Sequence, residues 1–397
     1  MDDTVIRARR LIGLPDEDSG PGWLRVIKGR IDDAGRGEPP IEADVVLEDG
    51  ILAPGLIDAQ INGAFGVDFA DANVDDIRRV AEQMLTTGVT AMVPTFITAP
   101  FDQLAQQVTR YDAARIVSNG AGGATRLHPA HVEGPFLSPR RRGAHREELL
   151  FDPTPERVAL LIDLADAISY VTLAPEREGA IRAIGELVEA GIRVAIGHSD
   201  ASDHEVRAAA DAGATLVTHL YNAQRPLHHR APGVVGAALA DSRLTLGLIV
   251  DGHHVDPTAV RLAFAAATGR VMLVTDAVAA LGMPPGTYEL GGDRIVVTAG
   301  SPPLRSDGAI AGADQPLDAN IGYAVEAGVD LAAAIRAATR TPADALGLHD
   351  LGRLEPGAFA DLVLLDDDDL RARRTWLGGD VVWDAGSSPT PDRMVLA

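Results

Sequence analysis

The chain has 397 residues, 46% of them hydrophobic, and a formal net charge of −22, which excludes one small domain and argues against nucleic acid or an anionic membrane as partner. It has no cysteine, so neither a disulfide frame nor a thiolate metal site is open to it. No apolar run is long enough to span a bilayer and the N-terminus has no h-region of signal type, so a cytoplasmic enzyme is expected; with aromatics at only 4%, Ala, Val, Leu and Ile must fill its core.

Residues 1–53 read as short strands at 5–6, 23–31 and 44–47, broken by Gly and Pro clusters. From Pro54 onward, strands alternate with helices. The first helix, 73–87, shows an apolar face of Ile77, Val80, Ala81, Met84 and Leu85 and is closed by Gly88. Strands follow at 89–93, 130–132, 168–173, 192–196, 215–218, 244–250 and 271–275, with helices at 101–111, 154–165, 177–190, 257–267, 314–326 and 331–347. Between the strands at 192–196 and 215–218, Ser202 and Glu205 have capping-box spacing and Gly213 is placed to end the helix they start. Such alternation implies a parallel sheet with right-handed crossovers, and its length suits an α/β fold of the (β/α)8 TIM-barrel type. The last stretch, 357–397, returns to strands at 360–365 and 375–383, separated by an acidic run, 366–369, that reads as a solvated turn. Trp23, Trp376 and Trp383 all lie in the two end segments. Two units are therefore expected: a β-sandwich from 1–53 plus 357–397, and a barrel at 54–356.

Four residues follow separate strand runs: Glu133, His198, His219 and Asp276. Alone, each is an ordinary loop residue. In a parallel barrel, however, strand tips converge on one mouth. Two imidazoles and a carboxylate there make an open set for a divalent metal, and the second carboxylate is left to take and return a proton. Further grips fall near the same mouth. Gly143-Ala144-His145 follows the basic run 140–142, Asn222 and Ala223 follow His219, Arg230 lies in a Gly/Pro loop, and His253 and His254 follow the strand ending at Val250. The bland readings are a solvated face for 140–142 and a capping role for Asn222. At most one of His253 and His254 is expected to face the cavity. His204 and His349 read as surface residues, His128 and His131 as structural ones.

The stretches APGLIDAQINGAFGVDF (53–69), HVEGPFLSPRRRGAH (131–145), VTLAPE (171–176), GHSDA (197–201), THLYNA (218–223), DGHHVD (251–256) and VTDAVAALGMPPGTYEL (274–290) stand in this order. Together they resemble the N-acetylglucosamine-6-phosphate deacetylases of the amidohydrolase superfamily. The resemblance covers about residues 53 to 312, and LGRLEPGAFADLVLLD (351–366) is similar too. It implies a barrel with a β-sandwich, a cytoplasmic homodimer, and hydrolysis of the N-acetyl group of an amino-sugar phosphate. By motif, Glu133, His198 and His219 look like ligands of one divalent ion, Zn2+ or, as an alternative, Fe2+. Asp276 looks like the acid/base, with His145 beside the developing oxyanion. Ala144, His145, Asn222, Ala223, Asp251, Gly252, His253, His254, Ile310, Ala311 and Gly312 match substrate-contacting segments. Arg230 matches an arginine lent to the neighbouring subunit's sugar phosphate. There are departures. Gln60-Ile61-Asn62 stands where many amidohydrolases have His-x-His, which argues for a single metal. Gln224 replaces a usual Met, and Asp314-Gln315-Pro316 alters a loop near the acyl or sugar end. Two rivals remain: an amidohydrolase acting on another N-acetyl hexosamine or its phosphate, and a catalytically dead amino-sugar-binding relative.

Overall fold

The computed structural model describes residues 3–15 and 19–386. Eight parallel strands run through the middle of the chain: Leu56–Ile61, Val89–Ile97, Ala130–Glu133, Ile168–Leu173, Arg193–Ile196, Leu216–Val217, Thr245–Leu248 and Val271–Leu273. Each pairs with the one before it. The ring closes where the segment after the last strand meets the first. Ile61 bridges Ala277 in parallel. Asp276 N–H donates to the Gln60 carbonyl (2.9 Å) and Asn62 N–H to the Ala277 carbonyl (2.7 Å). The result is a (β/α)8 barrel, as the alternation of strands and helices predicts.

Side-chain alternation explains how the barrel fills. On the Ile168–Leu173 strand, Val171 and Leu173 join the large aliphatic core against the helices, while Tyr170 joins a second cluster with Ala59, Val93, Ala195, Ile249 and Met272. The Ser202 capping box forms as its spacing predicts, with Ser202 Oγ accepting from Glu205 N–H and Glu205 returning to Ser202 N–H. Asn73 and Asp76 make a second box at Val74–Met84, a helix that Gly88 ends through its left-handed conformation (φ 76°).

The chain ends form two four-stranded sheets. One orders Arg30–Arg36, Gly22–Ile27, Asp3–Ala8 and Val45–Leu47; the other orders Asp380–Asp384, Ala372–Leu377, Leu362–Leu365 and Ile51–Pro54. Ile6, Leu24, Val26, Leu52, Leu362 and Trp376 from both sheets share one buried cluster. Asp367, in the acidic run, is more than a solvated turn: it pairs with Arg10 (2.9 Å) and accepts from Gly50 N–H (2.7 Å).

Several expected elements divide. The strand expected at 23–31 turns back at Lys28-Gly29, both at positive φ (49° and 80°), and the strand at 375–383 turns at Gly378-Gly379 (φ 55° and 80°). The helix expected at 331–347 is two helices, Leu331–Ala337 and Arg340–Leu346. Pro342 has no N–H for the carbonyl of Ala338, so one continuous helix is forbidden there. The helix expected from 314 begins at Leu317, after Pro316. Elements outside the expectations include the first barrel strand, Leu56–Ile61, the helix Gly233–Ala240, and a three-stranded antiparallel sheet of Gly286–Leu290, Asp293–Val297 and Leu304–Arg305. The alternating runs around Gly291-Gly292 are a hairpin signal. Among the described residues, no helix is long and apolar enough to cross a membrane.

Candidate active site

Glu133 ends its strand, while His198 and His219 stand just past theirs; all three are buried. His198 and His219 have positive φ (47° and 27°), as does Asp276 (51°). Side chains with a Cβ enter this region only at a cost, about 1–3 kcal/mol each, so the strand ends are bent to turn these groups inward. His198 Nε2 and His219 Nε2 lie 3.1 Å apart, and Glu133 Oε1 sits 3.2 Å from the first and 3.1 Å from the second.

That near-equilateral triangle fits a divalent cation. Tetrahedral ligands at Zn–N and Zn–O lengths of about 2.0–2.2 Å stand roughly 3.3 Å from one another. The tautomer of His198 agrees. Its Nδ1 lies 2.9 Å from the Arg141 carbonyl, which can only accept, so the proton is on Nδ1 and Nε2 offers a lone pair to the centre. Arg141 is held in turn by Asp200 (2.8 Å), two residues after His198. Asp200 N–H and Ser199 Oγ–H both donate to Glu176 (2.6 and 2.7 Å), which pins the loop carrying the imidazole. The basic run 140–142 thus contributes a carbonyl to the site rather than only a charged face. Burial pushes the Glu133 carboxyl up, but the adjoining His198 and His219 rings outweigh it and hold the group well below the usual carboxylate range. Burial works against a charged His219, and its contact with Glu133 more than reverses this, so its pKa is raised.

Asp276 is half-buried, and desolvation followed by repulsion from Glu133 raises its pKa. Two amides hold one of its oxygens: Gln60 Nε2 and Asn62 Nδ2 donate to Oδ1 at 3.0 and 2.8 Å. The pair that replaces His-x-His therefore points its donors at the carboxylate. Beneath them Asp58, buried, accepts from Thr275 Oγ–H (2.6 Å), and burial pushes its pKa up to about 7. Gly312 packs on the Asp276 backbone: its φ is 67°, and a Cβ there would stand 2.6 Å from the Asp276 carbonyl oxygen.

A cavity of about 160 Å³ opens over these groups. Glu133, His198, His219, Asp276, Ala144, His145, Asn222, Ala223, His254, Ile310 and Gly312 line it, as the sequence predicts. Asp251, Gly252, His253, Ala311 and Arg230 do not. Asp251 supports the wall instead: burial raises it, but its bonds from His254 win and hold it at about 2. It accepts His254 Nδ1–H (2.6 Å), which turns the opposite ring edge of His254 to the cavity, and it accepts His253 N–H (2.9 Å). Ala311 packs with Val278, Leu290 and Ile295. Arg230 is exposed and, among the described residues, its side chain bonds within its own loop, at His229 Nε2 (2.9 Å). His145 is buried, its ring edge-on to His198 (centroids 4.5 Å), its Nδ1 2.9 Å from Thr98 Oγ. Burial, then the nearby His198, drives His145 down to about 3, so the ring is neutral.

Sequence reasoning did not assign Asn62, Ile97, Ile249 and Leu290 to the lining. Asn62 was visible as a departure from a motif, and Leu290 belongs to the unexpected hairpin. His131 is structural, as expected: its nitrogens bond Thr95 and Thr172 (3.1 and 2.7 Å) and it stacks on Tyr170 at 3.9 Å.

Residues 51–382 match the model of the amidohydrolase family. The chain is 38% identical over 380 residues to an N-acetylgalactosamine-6-phosphate deacetylase of Escherichia coli O157:H7, spanning 94% of this chain and 98% of that one. It is 39% identical over 355 residues to an N-acetylglucosamine-6-phosphate deacetylase of Homo sapiens, spanning 85% of each. A solved structure of a mutant N-acetyl-D-glucosamine-6-phosphate deacetylase from Mycobacterium smegmatis, in complex with N-acetyl-D-glucosamine-6-phosphate, is similar with a TM-score of 0.89 and 36% identity. It covers 96% of this chain and 100% of that chain.

Proposed function

The chain belongs to the N-acetylglucosamine-6-phosphate deacetylase family of the amidohydrolases, and from that premise we propose that it hydrolyses the N-acetyl group of N-acetyl-D-glucosamine 6-phosphate, giving D-glucosamine 6-phosphate and acetate. The observation that carries this reading is the juxtaposition in one cavity of the Glu133–His198–His219 triangle and a second carboxylate, Asp276.

Glu133, His198 and His219 would hold one divalent ion, Zn2+ before Fe2+ because two imidazoles and one carboxylate suit zinc. When bound, such an ion acidifies water and polarises a carbonyl oxygen. Asp276, with Oδ1 occupied by two amide donors, takes the attacking water's proton on Oδ2 and returns it to the departing amine. His145 is the oxyanion donor in the tautomer carrying Nε2–H, which needs the Thr98 hydroxyl turned toward Nδ1 and away from the Glu133 carbonyl, to which it donates at 3.2 Å. Asn222 and the Asp251-supported His254 hold sugar hydroxyls and phosphate, with Ala144, Ala223, Ile310 and Gly312 shaping the wall. Arg230 reaches the phosphate in a neighbouring subunit of a homodimer, which suits its exposure and its place outside its own cavity. The enzyme is placed in the cytoplasm, where sugar phosphates are found. The two sheets built from the chain ends form a unit separate from the 54–356 barrel.

One observation favours a second reading, the galacto epimer as substrate: the relative with 98% of its length covered is an N-acetylgalactosamine-6-phosphate deacetylase. Acetate release from both N-acetyl hexosamine 6-phosphates and their unphosphorylated forms tests the proposal. The highest kcat/KM is expected for the gluco 6-phosphate. A preference for the galacto epimer selects the second reading, and no release from any of the four overturns both.

A further inference from the structure

Asn62 stands in the wall of the cavity, is only 3% exposed, and has a backbone locked on both sides. Its N–H donates to the Ala277 carbonyl and its carbonyl accepts from Phe69 N–H. Its side chain has one assignable orientation. The Nδ2 lies 2.8 Å from Asp276 Oδ1, and a carboxylate oxygen there, already receiving Gln60 Nε2–H, can only accept. The amide oxygen must therefore be the other atom, and Asn62 Oδ1 finds no hydrogen-bond partner among the described residues. A buried carbonyl left without a donor is costly, and native proteins seldom keep one except where a ligand completes it.

We propose that Asn62 Oδ1 accepts the N–H of the scissile amide, so that one side chain grips the substrate nitrogen and, through its other arm, the acid that protonates it. This rests on the deacetylase reading above. The position follows from the chemistry. The proton that water loses to Asp276 must reach the amide nitrogen as the C–N bond breaks and the new C–O bond forms, so that nitrogen lies against Asp276, and Asn62 is bonded to Asp276. The original N–H stays on the nitrogen throughout and ends as one hydrogen of the free amine. A donor at this spot separates amides from esters: an O-acetyl group has no N–H to offer, and a site built to bond a donor discriminates against the analogue lacking it.

The test compares N-acetyl-D-glucosamine 6-phosphate with its isostere, the 2-O-acetyl ester of glucose 6-phosphate. Asn62→Leu removes both arms, whereas Gln60→Leu removes only a donor to Asp276 and reports what loosening the acid does alone. The expected result is a fall in the amide-to-ester ratio of kcat/KM for Asn62→Leu of about tenfold beyond that for Gln60→Leu. Binding in the inactive Asp276→Asn protein provides a readout free of turnover: its preference for the amide over the ester should vanish when Asn62→Leu is added, and Asn62→Asp, which keeps an acceptor, should retain part of it. Equal losses for amide and ester, or an amide preference that survives Asn62→Leu, would overturn the assignment and leave Asn62 as a support for Asp276 only. If the wild-type protein releases no acetate from any amino sugar, the deacetylase reading falls and this inference falls with it.

Discussion

Two of the cavities differ in a way that size does not reveal. The base cavity, which lies by Val271 at the start of the last strand, between the helices Pro257–Ala266 and Leu331–Ala337 and the segment 12–14, is larger, about 500 Å³, and is lined by Ile12, Leu14, Phe264 and Ile335 together with Arg261 and Arg340. Its polar groups have other engagements: Arg261 donates to the Ala327 carbonyl and Arg340 pairs with Glu355. The mouth holds about 160 Å³, yet two carboxylates and four imidazoles line it. Backbone conformation follows the same division. Residues at positive φ around the base cavity are all glycines, Gly13, Gly269, Gly328 and Gly352; at the mouth they include His198, His219, Ala223 and Asp276. Glycine enters that region freely, and other residues do not. Strain and buried charge are tolerated where they aim groups at a substrate, and among the described residues lining the base no side chain with a Cβ stands at positive φ.

The sharpest way to break this contrast is to remove a ligand. His219→Ala should lose most of the bound metal, measured by elemental analysis against about one ion per wild-type chain, and activity should fall by about 10³-fold or more. Two tightly held ions per wild-type chain would defeat the single-ion reading drawn from Gln60. Asp276→Asn keeps the shape of the mouth but cannot accept a proton, so a loss of about 10²–10⁴ in kcat is expected with metal content near wild type. Near-normal turnover would assign the proton transfers elsewhere.

Arg230 sharpens the contrast from outside, since among the described residues that line the mouth none is an arginine. Arg230→Ala should raise KM for the 6-phosphorylated substrate about tenfold, and much less for the unphosphorylated analogue. Mixing Asp276→Asn chains with Arg230→Ala chains should then restore some activity, because one site in the hybrid has both groups. A dead mixture despite verified subunit exchange would place the arginine's action within its own chain. The smallest effect concerns strain alone. Ala223, at φ 50°, stands in the left-handed region, so Ala223→Gly should raise unfolding stability by about 0.5–1 kcal/mol in denaturant titration. An unchanged or lower stability would mean that this turn stores no strain.

Much of the barrel was legible because period and punctuation agree: the Ser202–Glu205 box, the Gly88 stop and the 168–173 strand all stand where their residues place them. Strand tips were legible too, since a histidine or acid directly after a buried apolar run has few places to point. The unread parts have physical causes. Hairpin turns at Lys28-Gly29 and Gly378-Gly379 lie inside runs whose composition stays strand-like on both sides. Asn62 was judged by the metal ligand it is not, and the bond it makes, to a residue 214 positions away, has no local signature. Arg230 lies outside the lining of the cavity, and period and spacing alone do not tell a surface arginine from a functional one.

The seam between the first strand and the residues after the last has a consequence for the order in which the site comes into being. His198 and His219 are 21 positions apart and Glu133 is 86 from His219. Asp276 meets Gln60 across 216 positions, and that contact is also the closure of the ring. Contacts spanning so long a loop form late, because chain entropy must be spent before they return anything. The triangle can therefore assemble on an open sheet, whereas the base takes its place only as the barrel shuts. Hydrolytic competence is thus tied to completion of the fold, and a half-made barrel on the ribosome or in refolding is a metal trap without a catalyst.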